Sequence, residues 1–368
     1  MVDASDFYLR YSPDVETVAD DEAETAQGLM ETMRSVSEKT LADGGHAIRS
    51  VHAKSHGFLE GELEVAPGLP PMLAQGLFSK AATYPVVMRL STLPGDILDD
   101  SVSTPRGLAV KIIGVEGERL EGSEDDVTQD LVLVNGPAFG APTPKAFLAT
   151  LKLLAATTDK VEGFKKVVSG AMRGVQELIV STTGGPNATV ATMGGQPETH
   201  ILGETFYSQV PLRWGDYVAK VSVAPVSPEL TALTRAPLNV SGTPNGLREA
   251  VAAYFAVHDG VWELRAQLMT DPGAMPVEDA SVPWPETESP YRTVARITVP
   301  RQEAWSDAKV AALDDGLAFS PWHGLAAHRP LGSIMRARRA VYPKSAGFRA
   351  EHNGCPLHEP ASAAALPV

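Results

Sequence analysis

Two groups of side chains in this sequence have types and spacings that could do chemistry. The first is His46, His52 and His56. Imidazoles close together in sequence raise the question of a metal site. His52 and His56 would share a face only on a helix, and the stretch from residue 57 reads as extended, so a three-histidine metal site is not expected. The second group is the run Arg336-Ala337-Arg338-Arg339-Ala340-Val341-Tyr342, with Arg349 further along. If this run is helical, Arg338 and Tyr342 lie on one face, and a guanidinium beside a phenol favours the phenolate. Ionising an ordinary tyrosine at pH 7 costs roughly 4 kcal/mol, which a bound ferric ion and a close arginine together could offset. On spacing alone, the commoner arrangement is an exposed basic helix face carrying a core tyrosine. Zinc-protease and zinc-finger spacings, a nucleophile elbow, a phosphate loop and a dinucleotide fingerprint are all absent, which weakens hydrolase and nucleotide readings.

Bulk properties narrow the class further. A chain of 368 residues that is 43% hydrophobic can bury a sizeable core. Its formal net charge of −14 argues against nucleic acid or an anionic membrane as partner, since either needs a basic face. The single cysteine, Cys355, rules out an intramolecular disulfide and reads as a silent free thiol, which fits a reducing compartment. With no basic-then-apolar leader and no apolar run of bilayer length, a cytoplasmic location is expected.

The elements that must position these residues show a change of texture near residue 45. Residues 14 to 43 carry Val18, Leu29, Met33, Val36 and Leu41 at helical spacing and stop at Gly44-Gly45, so residues 1–44 are expected to form a helical arm. Segments 57–65, 84–91, 107–113 and 130–134, and later 206–211, 216–224, 261–269 and 291–299, have strand character and are punctuated by Pro, Gly and Asp. Between the two sets, Pro142-Thr143-Pro144 opens a stretch to about residue 180 that suits two helices. The expected fold class is α+β: an antiparallel β-barrel over 45–300 with a helical insertion near 143–180, flanked by N- and C-terminal helices in one structural domain. The segment 301–368 carries a helix-compatible run over 336–347 and is expected to end in a loose tail after Asn353.

Several segments, in order, resemble the catalase family. Arg49-Ser50-Val51-His52-Ala53-Lys54 is similar to the family's distal-histidine element. It is followed by Met88-Arg89-Leu90-Ser91-Thr92, Pro105-Arg106-Gly107-Leu108-Ala109-Val110-Lys111 and Asn135-Gly136-Pro137, then by Tyr207-Ser208-Gln209-Val210-Pro211 and Gln267-Leu268-Met269-Thr270-Asp271. Arg338-Arg339-Ala340-Val341-Tyr342-Pro343 with Arg349 resembles its tyrosine element, so the likeness runs over roughly residues 45–350. It departs where Thr104 precedes Pro105, where Leu90 replaces the family's phenylalanine, and where Gly140 follows Phe139 in place of a second aromatic.

The resemblance implies a catalase-like barrel binding haem b, with Tyr342 as the iron ligand, held as phenolate by Arg338. It makes His52 the distal base, Ser91 its orienting partner and Asn135 a peroxide-holding amide. Arg49, Arg89 and Arg349 would pair with the two propionates, and Val51 and Phe139 would line the cofactor. Guanidiniums suit paired carboxylates, and an anionic oxygen ligand stabilises ferric iron. The implied activity is peroxide consumption, as a catalase on hydrogen peroxide or as a peroxidase with a small organic donor, in a response to oxidative stress. A fatty-acid hydroperoxide or oxylipin enzyme of the same fold and a haem-binding non-enzyme are the alternatives. A homo-oligomer is compatible with the resemblance; the family's C-terminal helical domain, with its NADPH site and much of its tetramer wrap, has no counterpart in the residues given.

Overall fold

The computed structural model describes residues 7–155 and 195–366. Nine antiparallel strands form one sheet: β1 (Ser55–Val65), β2 (Thr83–Thr92), β3 (Arg106–Ile113), β4 (Thr128–Val134), β5 (Phe206–Tyr207), β6 (Leu212–Trp214), β7 (Tyr217–Pro225), β8 (Gly260–Leu268) and β9 (Arg292–Val299). Eight of them close into a barrel, because β5 pairs with both β4 and β7 while β9 joins β1 to β8. β6 is a hairpin extension on β7. Closure leaves no long edge to be covered.

Strand alternation gives β1 to β4 two working faces. Leu59 and Leu63 of β1, Met88 and Leu90 of β2, Leu108 and Val110 of β3, and Leu131 and Leu133 of β4 join the main core. Their neighbours Phe58, Val87 and Ile113 instead pack outside it, against Leu313 and Leu317. The register lines up two rows on that second face: Arg89 with Ala109 and Val132, and Ser91 with Gly107 and Val134.

Three helices cover this face. α1 (Glu22–Gly44) ends on Gly45, whose left-handed φ of 69° and N–H to Leu41 O close the last turn. Its Leu29 and Met33 meet Leu151 of α2 (Pro144–Ala155) and Ala337 and Val341 of a C-terminal helix, here α3 (Ser333–Asn353). Shorter helical pieces, including Gly246–Phe255, pack elsewhere on the barrel.

The expected α+β barrel is present, with its helices at both ends and the start of the helical insertion. Residues 156–180 of that insertion lie outside the described residues. The expected strand over 206–211 is cut to two residues, because Gln209 takes a left-handed φ of 62°. The expected loose tail is anchored instead. His358 N donates to Gly316 O at 2.9 Å, and Glu359 pairs at 2.7 Å with the fully buried Lys111.

Arg336 fastens the arm, the barrel and α3 together. Its guanidinium reaches Glu16 at 2.7 Å, Glu22 at 2.5 Å and Glu278 at 3.0 Å. Removing it leaves Glu16 with Arg329 alone and takes the paired cation from Glu22 and Glu278, so Arg336→Ala should lower the urea midpoint at pH 7 by an amount worth about 2–4 kcal/mol. An unchanged midpoint would show the cluster to be a solvated surface feature.

Candidate active site

His52 lies in the link between α1 and β1 with a left-handed φ of 53°, a conformation that costs a non-glycine residue about 1–3 kcal/mol. The backbone is over-determined there. His52 N donates to Leu93 O at 2.7 Å, Ala53 N to Pro94 O at 3.0 Å, and Arg89 Nη2 to His52 O at 2.9 Å. The ring nitrogen Nδ1 is 3.1 Å from Ser91 Oγ, which leaves Nε2 as the nitrogen not engaged by Ser91. Space for the ring comes from Gly107: a Cβ there would sit 2.5 Å from Nδ1 and 2.8 Å from Ser91 Oγ. Burial, reinforced by the charges of Arg89, Arg338 and Arg49, pushes the His52 pKa down to about 3, so the imidazole is neutral at physiological pH.

His52 and Tyr342 line the same two adjoining cavities, of about 620 and 130 Å³. The larger is of cofactor size and is floored by Arg89, Ser91, Gly107 and Ala109 from the barrel face. The smaller brings His52 and Tyr342 together with Val51, Asn135, Phe139 and Arg338. Asn135 is held by a reciprocal pair of bonds with Arg106: its Oδ1 accepts from Arg106 N at 2.8 Å, and its backbone N–H donates to Arg106 O at 3.0 Å. Its Nδ2 is buried without a partner, a state that costs roughly 1–3 kcal/mol unless a ligand accepts from it.

Arg338 packs against two aromatic rings of the site. Its Cζ stands over both the Tyr342 ring and the Phe139 ring, 5.9 Å from each centroid. Its Nη1 contacts Met335 Sδ at 3.7 Å, and no described hydrogen bond joins it to the Tyr342 hydroxyl.

Arg49, Arg89 and Arg349 do converge, but on a residue that no sequence motif singles out. Arg49 and Arg89 both form ion pairs with Asp314, Arg89 through Nε at 2.8 Å. Arg349 donates to the backbone oxygens of Asp314 at 2.9 Å and Leu317 at 3.3 Å. Burial alone would raise the Asp314 carboxyl, but Arg49 and Arg89 hold it well below the usual carboxylate range.

Gln209 is a second site residue that sequence reasoning missed. Its Nε2 donates to Gly136 O at 3.1 Å and Ala138 O at 2.6 Å, fixing the loop between Asn135 and Phe139. Gly107 carried a readable signal, since a glycine inside a strand marks a close approach.

Among solved structures, the chain is similar to a fungal catalase, with 19% identity and a TM-score of 0.58 over 86% of this chain and 62% of that one. The fold is that of the catalases. Catalase A from Saccharomyces cerevisiae matches at 19% identity and TM-score 0.58 over 85% of this chain and 63% of that one. A bacterial catalase matches at 15% identity and 0.57, over 96% and 65%. The chain thus spans just under two thirds of the length of these catalases. No protein-family model and no curated protein matches the sequence. Among the described residues, no helix is long and apolar enough to cross a membrane.

The buried histidines dictate how stability follows pH. The unfolded chain takes protons near pH 6.5, whereas His52 resists one to about pH 3 and His200 and His328 to about pH 4. Their contribution is fully present above pH 6.5 and lost as pH falls toward 3–4, at up to roughly 1.4 kcal/mol per unit for each. Urea unfolding at pH 7, 6 and 5 should show this slope, and His52→Gln should make it shallower. Equal slopes in the two proteins would mean that His52 protonates freely in the folded chain.

Proposed function

We propose that this chain is a haem-dependent oxidoreductase that consumes peroxide. One observation carries the reading: a neutral, oriented imidazole, an asparagine with an unpartnered amide N–H and a tyrosine line the same cavity. The residues fit haem b. Arg49, Arg89 and Arg349 outnumber Asp314 and so suit a group with two carboxylates, and the larger cavity is of cofactor size. In this reading the Tyr342 oxygen holds the iron, with Arg338 above its ring and Val51 and Phe139 against the cofactor. Bound haem would supply the redox-active iron at which a peroxide O–O bond is cleaved.

The chain's own contribution is proton handling. His52 accepts the proton of the incoming peroxide and returns it to the departing oxygen, which lets the O–O bond break heterolytically. Ser91 keeps the ring facing the cavity, and Gly107 gives it room. Asn135, whose Nδ2 has no other partner, would donate to a peroxide oxygen and so hold the substrate beside His52.

The wall of the smaller cavity bears on which peroxide reacts. Leu29, Met33, Leu93, Phe147 and Ile334 line it together with His52. An apolar lining of this kind favours a peroxide carrying an organic substituent, or an organic donor, over hydrogen peroxide alone. This lining favours the organic-donor and lipid-hydroperoxide alternatives.

Haem-loaded protein should show the absorption of tyrosine-ligated ferric haem, lost in Tyr342→Phe. His52→Ala should keep haem but lose at least about 100-fold in kcat/KM for peroxide. Cumene hydroperoxide should be used more efficiently than hydrogen peroxide, read as the ratio of their kcat/KM values. Haem binding with a His52→Ala variant as fast as wild type would make the chain a haem carrier; no haem binding at all would overturn the proposal.

A further inference from the structure

The arginine cluster holds more than the proposed function uses. Asp314 lies near the end of a π-helical turn, Val310–Asp315, a rare geometry often found at functional sites. That turn brings a carboxylate to a point where Arg49 and Arg89 both pair with it. The adjacent carboxylate, Asp315, pairs instead with His46 at 3.1 Å. Three guanidiniums face the Asp314 carboxylate, with the neighbouring Asp315 also acting on Arg49 and Arg349, so a net positive charge remains in a largely buried space. Arginines do not shed that charge by deprotonating. One donor is left over as well, for Arg349 is 3% exposed and its Nε is buried without a partner.

We propose that Asp314 is a built-in counter-charge that tunes the Arg49, Arg89 and Arg349 cluster to a ligand with two carboxylates. The inference rests on the haem reading and makes the two propionates the groups recognised. Without Asp314 the three guanidiniums would face one another in a low-dielectric space before any cofactor arrives. With it, two of them are held in place, and the charge that remains is the charge a dicarboxylate neutralises. A second consequence concerns His52. Arg89 places Nε on Asp314 and Nη2 on the carbonyl oxygens of His52 and Ala53, at 2.9 and 3.2 Å. Asp314 is thus a positioning residue for the strained backbone of the imidazole, acting through Arg89.

The test titrates the haem-free full-length chain with haemin and with haemin dimethyl ester, following the absorption of the bound macrocycle. Wild type should bind the diacid at least about tenfold more tightly than the diester. Asp314→Asn removes the internal competitor and should widen that ratio several-fold. Arg349→Gln should narrow it, and it provides the readout if Asp314→Asn fails to fold. A wild-type ratio near one, or a ratio unmoved by either substitution, overturns the inference while leaving haem binding intact. Failure of both macrocycles to bind overturns the haem reading and this inference with it.

Discussion

Burying a guanidinium on the outer face of a barrel strand is tolerable only if its donors find partners, and Arg89, at 3% exposure, meets that condition in a way that organises the site. One side of its fork takes the Asp314 carboxylate and the other takes the carbonyl oxygens of His52 and Ala53. A single side chain therefore joins β2, the link carrying His52 and the π-helical turn. Arg349 adds α3 by donating to the same turn. Tyr342 sits two helical turns before Arg349, so the position of its ring is tied to the same knot.

The cavity exists because one wall of the barrel is used on both faces. Met88 and Leu90 of β2 join the core inside the barrel, whereas Arg89 and Ser91, which alternate with them along the strand, line the cavity. Gly107 in the facing strand then keeps the surface low enough for an imidazole to lie across it. A sheet buried on both faces needs helices to cover the second one, and α1, α2 and α3 do so with Leu29, Met33, Leu151, Ala337 and Val341. The same Leu29, Met33 and Val341 reach the cavity wall, so the packing that closes the fold also sets the cavity's apolar character.

Most of this was legible in the sequence where the signal is local. Strand periodicity located β1 to β4 and β7 to β9 to within two residues, and the Gly44-Gly45 pair marked the end of α1. Ordered motifs brought forward His52, Ser91, Asn135 and Tyr342; His52 and Tyr342 line both cavities, Ser91 the larger and Asn135 the smaller. Asp314 was not legible, because its role depends on a π-helical register and on arginines 265 and 225 residues away. Nor was the anchored tail, since Glu359 gains its meaning only from Lys111, 248 residues earlier. The stacking of Arg338 over Tyr342 also escaped the sequence: helical spacing shows that two residues are neighbours and leaves open whether a guanidinium meets the ring or its oxygen.

Backbone strain points to the same place by an independent route. Only three non-glycine residues among those described have positive φ, and two of them, His52 and Gln209, line the smaller cavity. Each is held there by hydrogen bonds that a relaxed backbone would forfeit: Leu93 O and Arg89 at His52, Gly136 O and Ala138 O at Gln209. The first set fixes the imidazole and the second fixes the loop that presents Asn135. Strain at these two positions persists because the surrounding bonds offset it. The result is that an imidazole and a side-chain amide are held at fixed positions on one cavity by bonds of the surrounding chain.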